Sequence, residues 1–204
     1  MLTEVVYVFQ KDYDGNDYMC TGVLVAKDLV LTAGHCLDDS MFESFSVLAP
    51  LVEDKPRVWA KEVYILGTGD GAADPDVGVL RLHEPIELPA YAQITDITDR
   101  VEKGEKLTGV AIVRTEEEME APLKSVENLT IGSTTAFGYE HGISTPMFSQ
   151  GGDSGAGLFL VENGRTTHKL VGIARNPEQS RKIDHFTRLG AHFKEWFDES
   201  TQSD

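Results

Sequence analysis

The sequence predicts an all-β protein, a barrel or a sandwich, organised in two strand-rich halves. Short apolar stretches recur at regular spacing, and the segments between them are rich in Gly, Pro, Asn and Asp. The composition changes over residues 95–105, where charged residues and glycine cluster between the two halves. We interpret this segment as the linker between two barrels. One apolar stripe near the end of the chain predicts a single helix.

The predicted strands are short and rich in β-branched or aromatic residues, the types that pack best on a pleated sheet. In the first half they span Val5–Phe9, Val23–Val25, Leu29–Thr32, Phe45–Leu48, Arg57–Leu66 and Val77–Leu82. In the second half they span Lys106–Val113, Ser125–Ile131, Ile143–Phe148, Ala156–Val161, Lys169–Ala174 and His185–Leu189.

The predicted helix covers residues 188–199, because its apolar residues recur at helical spacing, as i, i+4, i+7 and i+8. The chain then divides into an N-terminal barrel (residues 1–94), a linker (95–105), a C-terminal barrel (106–187) and the helix. The residues of the apolar stripe are Leu189, Phe193, Trp196 and Phe197.

The charge balance excludes some classes of partner. Among 204 residues, 18 are Lys or Arg and 34 are Asp or Glu, which gives a net charge of −16. Such a charge repels phosphate backbones and anionic lipid, so we expect neither nucleic acid nor a membrane surface as a partner. No apolar run approaches the roughly 20 residues that a membrane-spanning helix needs.

The two cysteines raise the question of the compartment. Cys20 and Cys36 flank two apolar runs around a Lys27-Asp28 turn, and such a hairpin brings flanking residues within bridging distance. A disulfide would indicate an oxidising compartment, secreted or periplasmic. The alternative is a cytosolic protein with two reduced thiols, since residues 1–4 show no signal-peptide pattern.

Three segments carry side chains suited to nucleophilic catalysis. His35 ends a strand beside a cysteine, Asp76 precedes an apolar strand, and Ser154 lies in a glycine-rich turn. A serine hydroxyl needs a neutral imidazole to take its proton, and the imidazolium that forms needs a carboxylate. The backbone N–H groups of Gly152 and Ser154 are the candidate donors to the oxyanion of the tetrahedral intermediate.

These segments resemble the chymotrypsin/trypsin family of serine endopeptidases, in which the catalytic residues follow the same chain order. The resemblance implies two six-stranded antiparallel β-barrels, with His35 as general base, Asp76 as its orienting carboxylate and Ser154 as nucleophile. Asp74 is the rival carboxylate. The similar blocks are the one ending in Ala-Gly-His-Cys36, Asp76–Leu82, Gly152–Gly155, Leu170–Ile173 and Phe186–Leu189.

The chain also departs from the family pattern. The Ile/Val-Val-Gly-Gly start is absent, whose freed amine in the family pairs with the carboxylate that matches Asp153. A buried carboxylate without a cation is costly. We therefore expect either an internal partner for Asp153 or a disordered, zymogen-like oxyanion loop.

The resemblance places Phe148, Ser149 and Asp184 at the specificity pocket, and Arg175 and Asn176 facing the substrate. Phe148 stands where trypsin-like enzymes carry an aspartate. Asp184 either lines the pocket and favours a basic P1 residue, the residue before the scissile bond, or lies in solvent. Arg175 leaves open a preference for acidic side chains.

Two other functions compete with an endopeptidase. One is a catalytically silent or zymogen-like barrel that acts as a binding module. The other is an esterase with the same machinery. The six histidines lack metal-binding spacing. We expect no metal and no cofactor, a protein or peptide substrate, and a monomer.

Overall fold

Six strands of the first half close into a barrel, with the order β1-β2-β3-β6-β5-β4 and with β1 pairing to β4. A computed structural model describes residues 2–71 and 74–202 of the chain. Every residue of β6 is buried, which places its first residue, Asp76, inside the protein. The strands are β1 Val5–Asp12, β2 Asp17–Ala26, β3 Leu29–Thr32, β4 Phe42–Leu48, β5 Arg57–Thr68 and β6 Asp76–Leu82.

The second half forms another barrel, in which the order β11-β8-β9-β10-β13-β12 is closed by pairing between β11 and β12. The predicted fold class, two six-stranded antiparallel barrels with a C-terminal helix, is therefore confirmed. The strands are β8 Leu107–Arg114, β9 Leu123–Ser133, β10 Gly142–Pro146, β11 Gly157–Glu162, β12 Arg165–Glu178 and β13 Ile183–Arg188.

The segment between the barrels is more structured than a simple linker. The short strand β7 (Gln93–Ile94) adds to the second sheet, parallel to β12. The helix α1 (Thr98–Glu102) lies within the predicted linker. The exact division of the chain into domains stays a prediction.

The C-terminal helix α2 spans Ala191–Thr201 and begins later than predicted. Arg188 belongs to β13, where it pairs with Gly172, and Gly190 is extended. Ladder pairing therefore overrides the helical periodicity for the residues before Ala191. Phe193 is buried, and within the described residues neither helix is long and apolar enough to cross a membrane.

The two barrels share an apolar cluster, to which the first barrel contributes Val23 and Val77 and the second contributes Phe159 and Leu170. Phe193 of α2 packs into the same cluster. This shared core fixes the seam between the barrels, where the loops that carry the candidate site residues meet.

A disulfide joins Cys20 to Cys36, with the two Cα atoms 6.4 Å apart. It ties the short 3₁₀ turn Gly34–Leu37 to β2. Of the two alternatives left open by the sequence, the structure thus has the bridge and not the free thiols.

Replacing both cysteines by serine tests how much the bridge stabilises the fold. Its cysteines lie 16 positions apart, and closing a loop of that size contributes about 3 kcal/mol. We expect the free energy of unfolding, measured by urea denaturation, to fall by about that amount. A double variant as stable as the native chain would contradict the expectation.

Candidate active site

Two hydrogen bonds join His35 to Asp76 at the seam. The backbone N–H of His35 donates to Asp76 Oδ1 at 2.9 Å, and His35 Nδ1 lies 2.8 Å from Asp76 Oδ2. Asp76 is buried, whereas the imidazole is 41% exposed, so its other nitrogen can be reached from solvent. The rival Asp74 is exposed and has no hydrogen bond to His35 among the described residues.

Asp76 is also fixed from the second barrel. Its backbone N–H donates to Thr187 Oγ1 at 3.0 Å, and the Thr187 hydroxyl donates back to the Asp76 carbonyl at 3.0 Å. Thr187 lies in β13, so the position of the carboxylate depends on how the barrels dock.

The loop that carries Ser154 has left-handed glycines on both sides, Gly152 at φ +83° and Gly155 at φ +85°. The second glycine is also required by space, because a Cβ there would lie 2.2 Å from Thr32 Oγ1 and 3.0 Å from Ala33 N. The loop therefore packs directly against the end of β3, just before His35.

The Ser154 hydroxyl makes a hydrogen bond away from His35, and the two candidate oxyanion donors make none among the described residues. Ser154 Oγ donates to the carbonyl of Arg175 at 3.2 Å. Among the described residues no hydrogen bond joins Ser154 Oγ to His35, and none uses the backbone N–H of Gly152 or of Ser154. Thr21 holds the loop from β2, where its N–H donates to the Ser154 carbonyl at 2.8 Å.

Asp153 has an internal cationic neighbour. Its Oδ1 accepts the backbone N–H of Arg114 at 3.2 Å and lies 3.8 Å from Arg114 Nε, while its Oδ2 accepts the N–H of Gln150 at 3.0 Å. The guanidinium is 2% exposed and donates to the carbonyl oxygens of Glu117, Glu118 and Gly151. Of the two outcomes expected for Asp153, the structure has the internal partner.

Burial is the largest influence on the Asp153 carboxyl and raises its pKa, while the backbone N–H donors and the Arg114 charge oppose that rise. The rise prevails, because the ion pair is long and Arg114 directs its other nitrogens to carbonyl oxygens. The N–H donors and Arg114 therefore offset only part of the free-energy cost of removing this carboxylate from water.

A small cavity of about 20 Å³ lies beside Ser154. That volume is about the room that one water molecule needs. Its lining includes Ser149, Asn176, Asp184 and His185. Four of the five residues predicted to bind substrate lie at this cavity, namely Ser149, Arg175, Asn176 and Asp184. Their part in substrate binding stays a prediction.

Asp184 is 1% exposed, and its carboxylate is already occupied by protein donors. Its Oδ2 accepts the N–H groups of Phe148 at 2.7 Å and Ser149 at 3.0 Å, and its Oδ1 accepts the Ser149 hydroxyl at 2.6 Å. The carboxylate therefore serves mainly to hold the pocket wall in shape.

The structure differs from the expectation for Phe148, and it places the two ends of Arg175 differently. The Phe148 side chain does not line the cavity beside Ser154, because its ring packs against the core of the second barrel, 6.3 Å from the Phe186 ring. Arg175 is among the residues that line the cavity, while its guanidinium is buried and donates to carbonyl oxygens of the connection between β5 and β6. Its backbone carbonyl accepts the Ser154 hydroxyl.

Sequence reasoning missed three side chains of the site: Arg114, Tyr139 and His185. His185 Nε2 lies 2.8 Å from Glu178 Oε2, and the Tyr139 ring stacks on its imidazole at 4.3 Å. No local pattern marks these residues, since each meets its partners only after the barrels close. Both sulfurs beside His35 belong to the disulfide and are not free to bind a metal.

Comparisons with known proteins agree with this architecture. The family profile described as Trypsin matches residues 4–197, and no curated protein sequence matches the chain at a significant level. Three solved structures share the fold. One titled GrC has a TM-score of 0.72 and 18% identity, covering 99% of this chain and 95% of that one.

The second is an HL collagenase, with a TM-score of 0.76 and 15% identity, covering 100% of this chain and 95% of that one. The third is the protease Anisep from Arthrobacter nicotinovorans, with a TM-score of 0.74 and 16% identity, covering 99% and 97%. At these identities the likenesses show the fold alone.

Replacing Asp153 by Asn tests the electrostatic account. Because the folded-state pKa is raised above the unfolded value of about 4, the native state binds the extra proton first as pH falls. The stability of the native chain relative to Asp153→Asn should therefore decrease as pH rises from about 4 through the raised pKa. Urea denaturation of both proteins at about pH 4.5 and 7.5 measures this, and a constant or growing difference would contradict it.

Proposed function

The chain belongs to the trypsin family, and on that premise we propose that it is a serine endopeptidase that cleaves peptide bonds in proteins or peptides. The observation that carries the proposal is the meeting of the Asp76–His35 pair, whose carboxylate is buried, with the Ser154 loop at the barrel seam. A hydroxyl, an imidazole and a carboxylate in this order are the groups that acyl transfer requires.

In the proposed reaction, the Ser154 hydroxyl turns from the Arg175 carbonyl to His35 Nε2 and gives up its proton there. Ser154 Oγ then bonds to the substrate carbonyl carbon, while Asp76 stabilises the imidazolium through Nδ1. The same proton passes from His35 to the departing amine as the peptide bond breaks. His35 then takes a proton from water as its oxygen attacks the acyl carbonyl carbon, and gives that proton to Ser154 Oγ as the ester bond breaks, which releases the acid product.

The oxyanion is assigned to the backbone N–H groups of Gly152 and Ser154, which no described residue uses. A preorganised donor of this kind contributes about 3 kcal/mol to the transition state. Arg114 supports the arrangement, since it binds the Gly151 carbonyl and lies against Gly152, where a Cβ would meet its guanidinium.

We assign to Arg114 the part that an inserted N-terminal amine has in the family pattern. Its buried guanidinium lies beside Asp153 without any rearrangement of the chain. This favours an ordered oxyanion loop over the zymogen-like or silent barrel, which stays the alternative function. The disulfide favours a secreted or periplasmic location, which we propose for this chain.

The size of the pocket favours a small P1 side chain. Asp184 at its wall leaves a basic P1 residue as the competing proposal, but three protein donors occupy that carboxylate and the cavity holds about 20 Å³. A Lys or Phe side chain would have to displace the wall. We therefore propose substrates with Ala, Ser or Gly at P1.

Three single substitutions test the catalytic assignment. Ser154→Ala should lower kcat for a cleaved peptide by about 10⁶-fold and Asp76→Asn by about 10⁴-fold, because the nucleophile or the imidazole orientation is lost. Asp74→Asn is the matched control and should leave kcat within about twofold, since an exposed side chain away from the reacting atoms has little effect on it. Equal losses for the two aspartate variants would contradict the assignment.

Peptide-library cleavage tests the P1 proposal. We expect kcat/KM to be highest with Ala, Ser or Gly at P1 and at least about tenfold lower with Lys or Phe, since a mismatch of even one methylene costs about tenfold or more. A maximum at Lys or Arg that disappears in Asp184→Ala would instead establish the basic preference.

A further inference from the structure

Arg175 connects the parts of the proposed site that lie on different barrels. It lies in β12 of the second barrel, and its backbone carbonyl accepts the Ser154 hydroxyl at 3.2 Å. Its side chain points the other way, into the first barrel, toward the connection between β5 and β6 that leads to Asp76. One residue therefore contacts both the nucleophile and the chain that carries the carboxylate.

The guanidinium binds that connection at three backbone carbonyls. Nη1 donates to Asp74 O at 2.9 Å, and Nη2 donates to Gly69 O at 2.9 Å and to Gly71 O at 3.4 Å. A Cβ added at Gly69 would lie 2.6 Å from Arg175 Nη2 and 2.8 Å from Asp76 Cβ. The guanidinium and the Asp76 side chain therefore flank the same left-handed glycine.

Removing the Arg175 charge from water costs free energy that a side chain serving only to fill space would not need to spend. It is 7% exposed, its Nε has no hydrogen-bond partner, and within the described residues no carboxylate lies within ion-pair distance of it. Its compensation comes from the three carbonyls and from the Tyr139 ring, whose centroid is 5.4 Å from Cζ. An apolar side chain would avoid that desolvation.

We propose that Arg175 is a positioning residue for the peptidase reaction. By holding the connection before β6 against the second barrel, it keeps the Asp76–His35 pair in reach of Ser154. The inference rests on the proposed function, because it assigns Arg175 a part in that same reaction. Arg175 acts through Asp76 and Ser154 and does not itself touch the scissile bond.

The test compares Arg175→Met with Arg81→Met. Arg81 is an equally buried arginine at the other end of β6, where it binds Asp28, Glu62 and the Thr201 carbonyl. Among the described residues, none of its hydrogen-bond or ion-pair partners belongs to the proposed site. It therefore reports what the loss of a buried arginine does to the fold alone.

The measurements are kcat and KM for a cleaved tetrapeptide, with the urea midpoint of each variant. We expect Arg175→Met to lower kcat about 100-fold, the order that a misplacement of about 1 Å costs, with KM changed by less than about threefold. Arg81→Met should keep kcat within about twofold of the native value, even if its urea midpoint falls further than that of Arg175→Met.

A native kcat in Arg175→Met, or an equal loss in Arg81→Met, would overturn the proposal. If Arg175→Met does not fold, Arg175→Lys takes its place, because it keeps the charge but lacks the planar fork that spans the carbonyls. A native kcat in that variant would overturn the proposal equally. If the unsubstituted chain itself cleaves no peptide, the proposed function is refuted. That outcome differs from an active native chain with an equally active Arg175 variant, which refutes only the role of Arg175.

Discussion

A buried carboxylate must be matched by hydrogen-bond donors, and this constraint governs the seam between the barrels. Asp76, Asp153 and Asp184 are each at least 97% buried there. Each receives at least two donors from backbone or side-chain groups, and among the residues that the structure describes only Asp153 of these three has an arginine beside it. The donors are His35 N and Nδ1, Arg114 N, Gln150 N, Phe148 N, Ser149 N and Ser149 Oγ.

Hydrogen bonds that cross the seam make the site a property of the docked barrels. Thr187 of the second barrel fixes Asp76 of the first, and Thr21 of the first fixes the Ser154 carbonyl of the second. Neither half holds the complete site alone. The shared apolar core and α2, which hold the barrels together, are therefore as necessary to the proposed activity as the reacting groups.

The sequence could predict what depends on local pattern. Short apolar stretches between turn residues marked the strands, and short motifs marked His35, Asp76 and the glycines around Ser154. The sheet topology and the family match confirm the fold class and the family resemblance. The catalytic roles of these residues stay predictions. The helix was predicted too early, because the apolar period runs on through residues that pair in β13.

What depends on distant pairing could not be predicted in the same way. Arg114 meets Asp153 across 39 positions, and Arg175 meets the Gly69 carbonyl across 106. β10 ends at Pro146, two residues before the predicted end of that strand, so Phe148 lies outside it. No spacing in the sequence carries this information, because it arises from the closure of the second barrel and, for Arg175, from the docking of the two barrels.

The proposed activity requires that Ser154 react as a nucleophile in the folded chain. Intact-mass analysis after treatment with a fluorophosphonate tests this most directly, on the native chain and on Ser154→Ala. We expect one adduct on the native chain, placed on Ser154 by peptide mapping, and none on the variant. No adduct on a folded native chain, or equal labelling of both proteins, would contradict it.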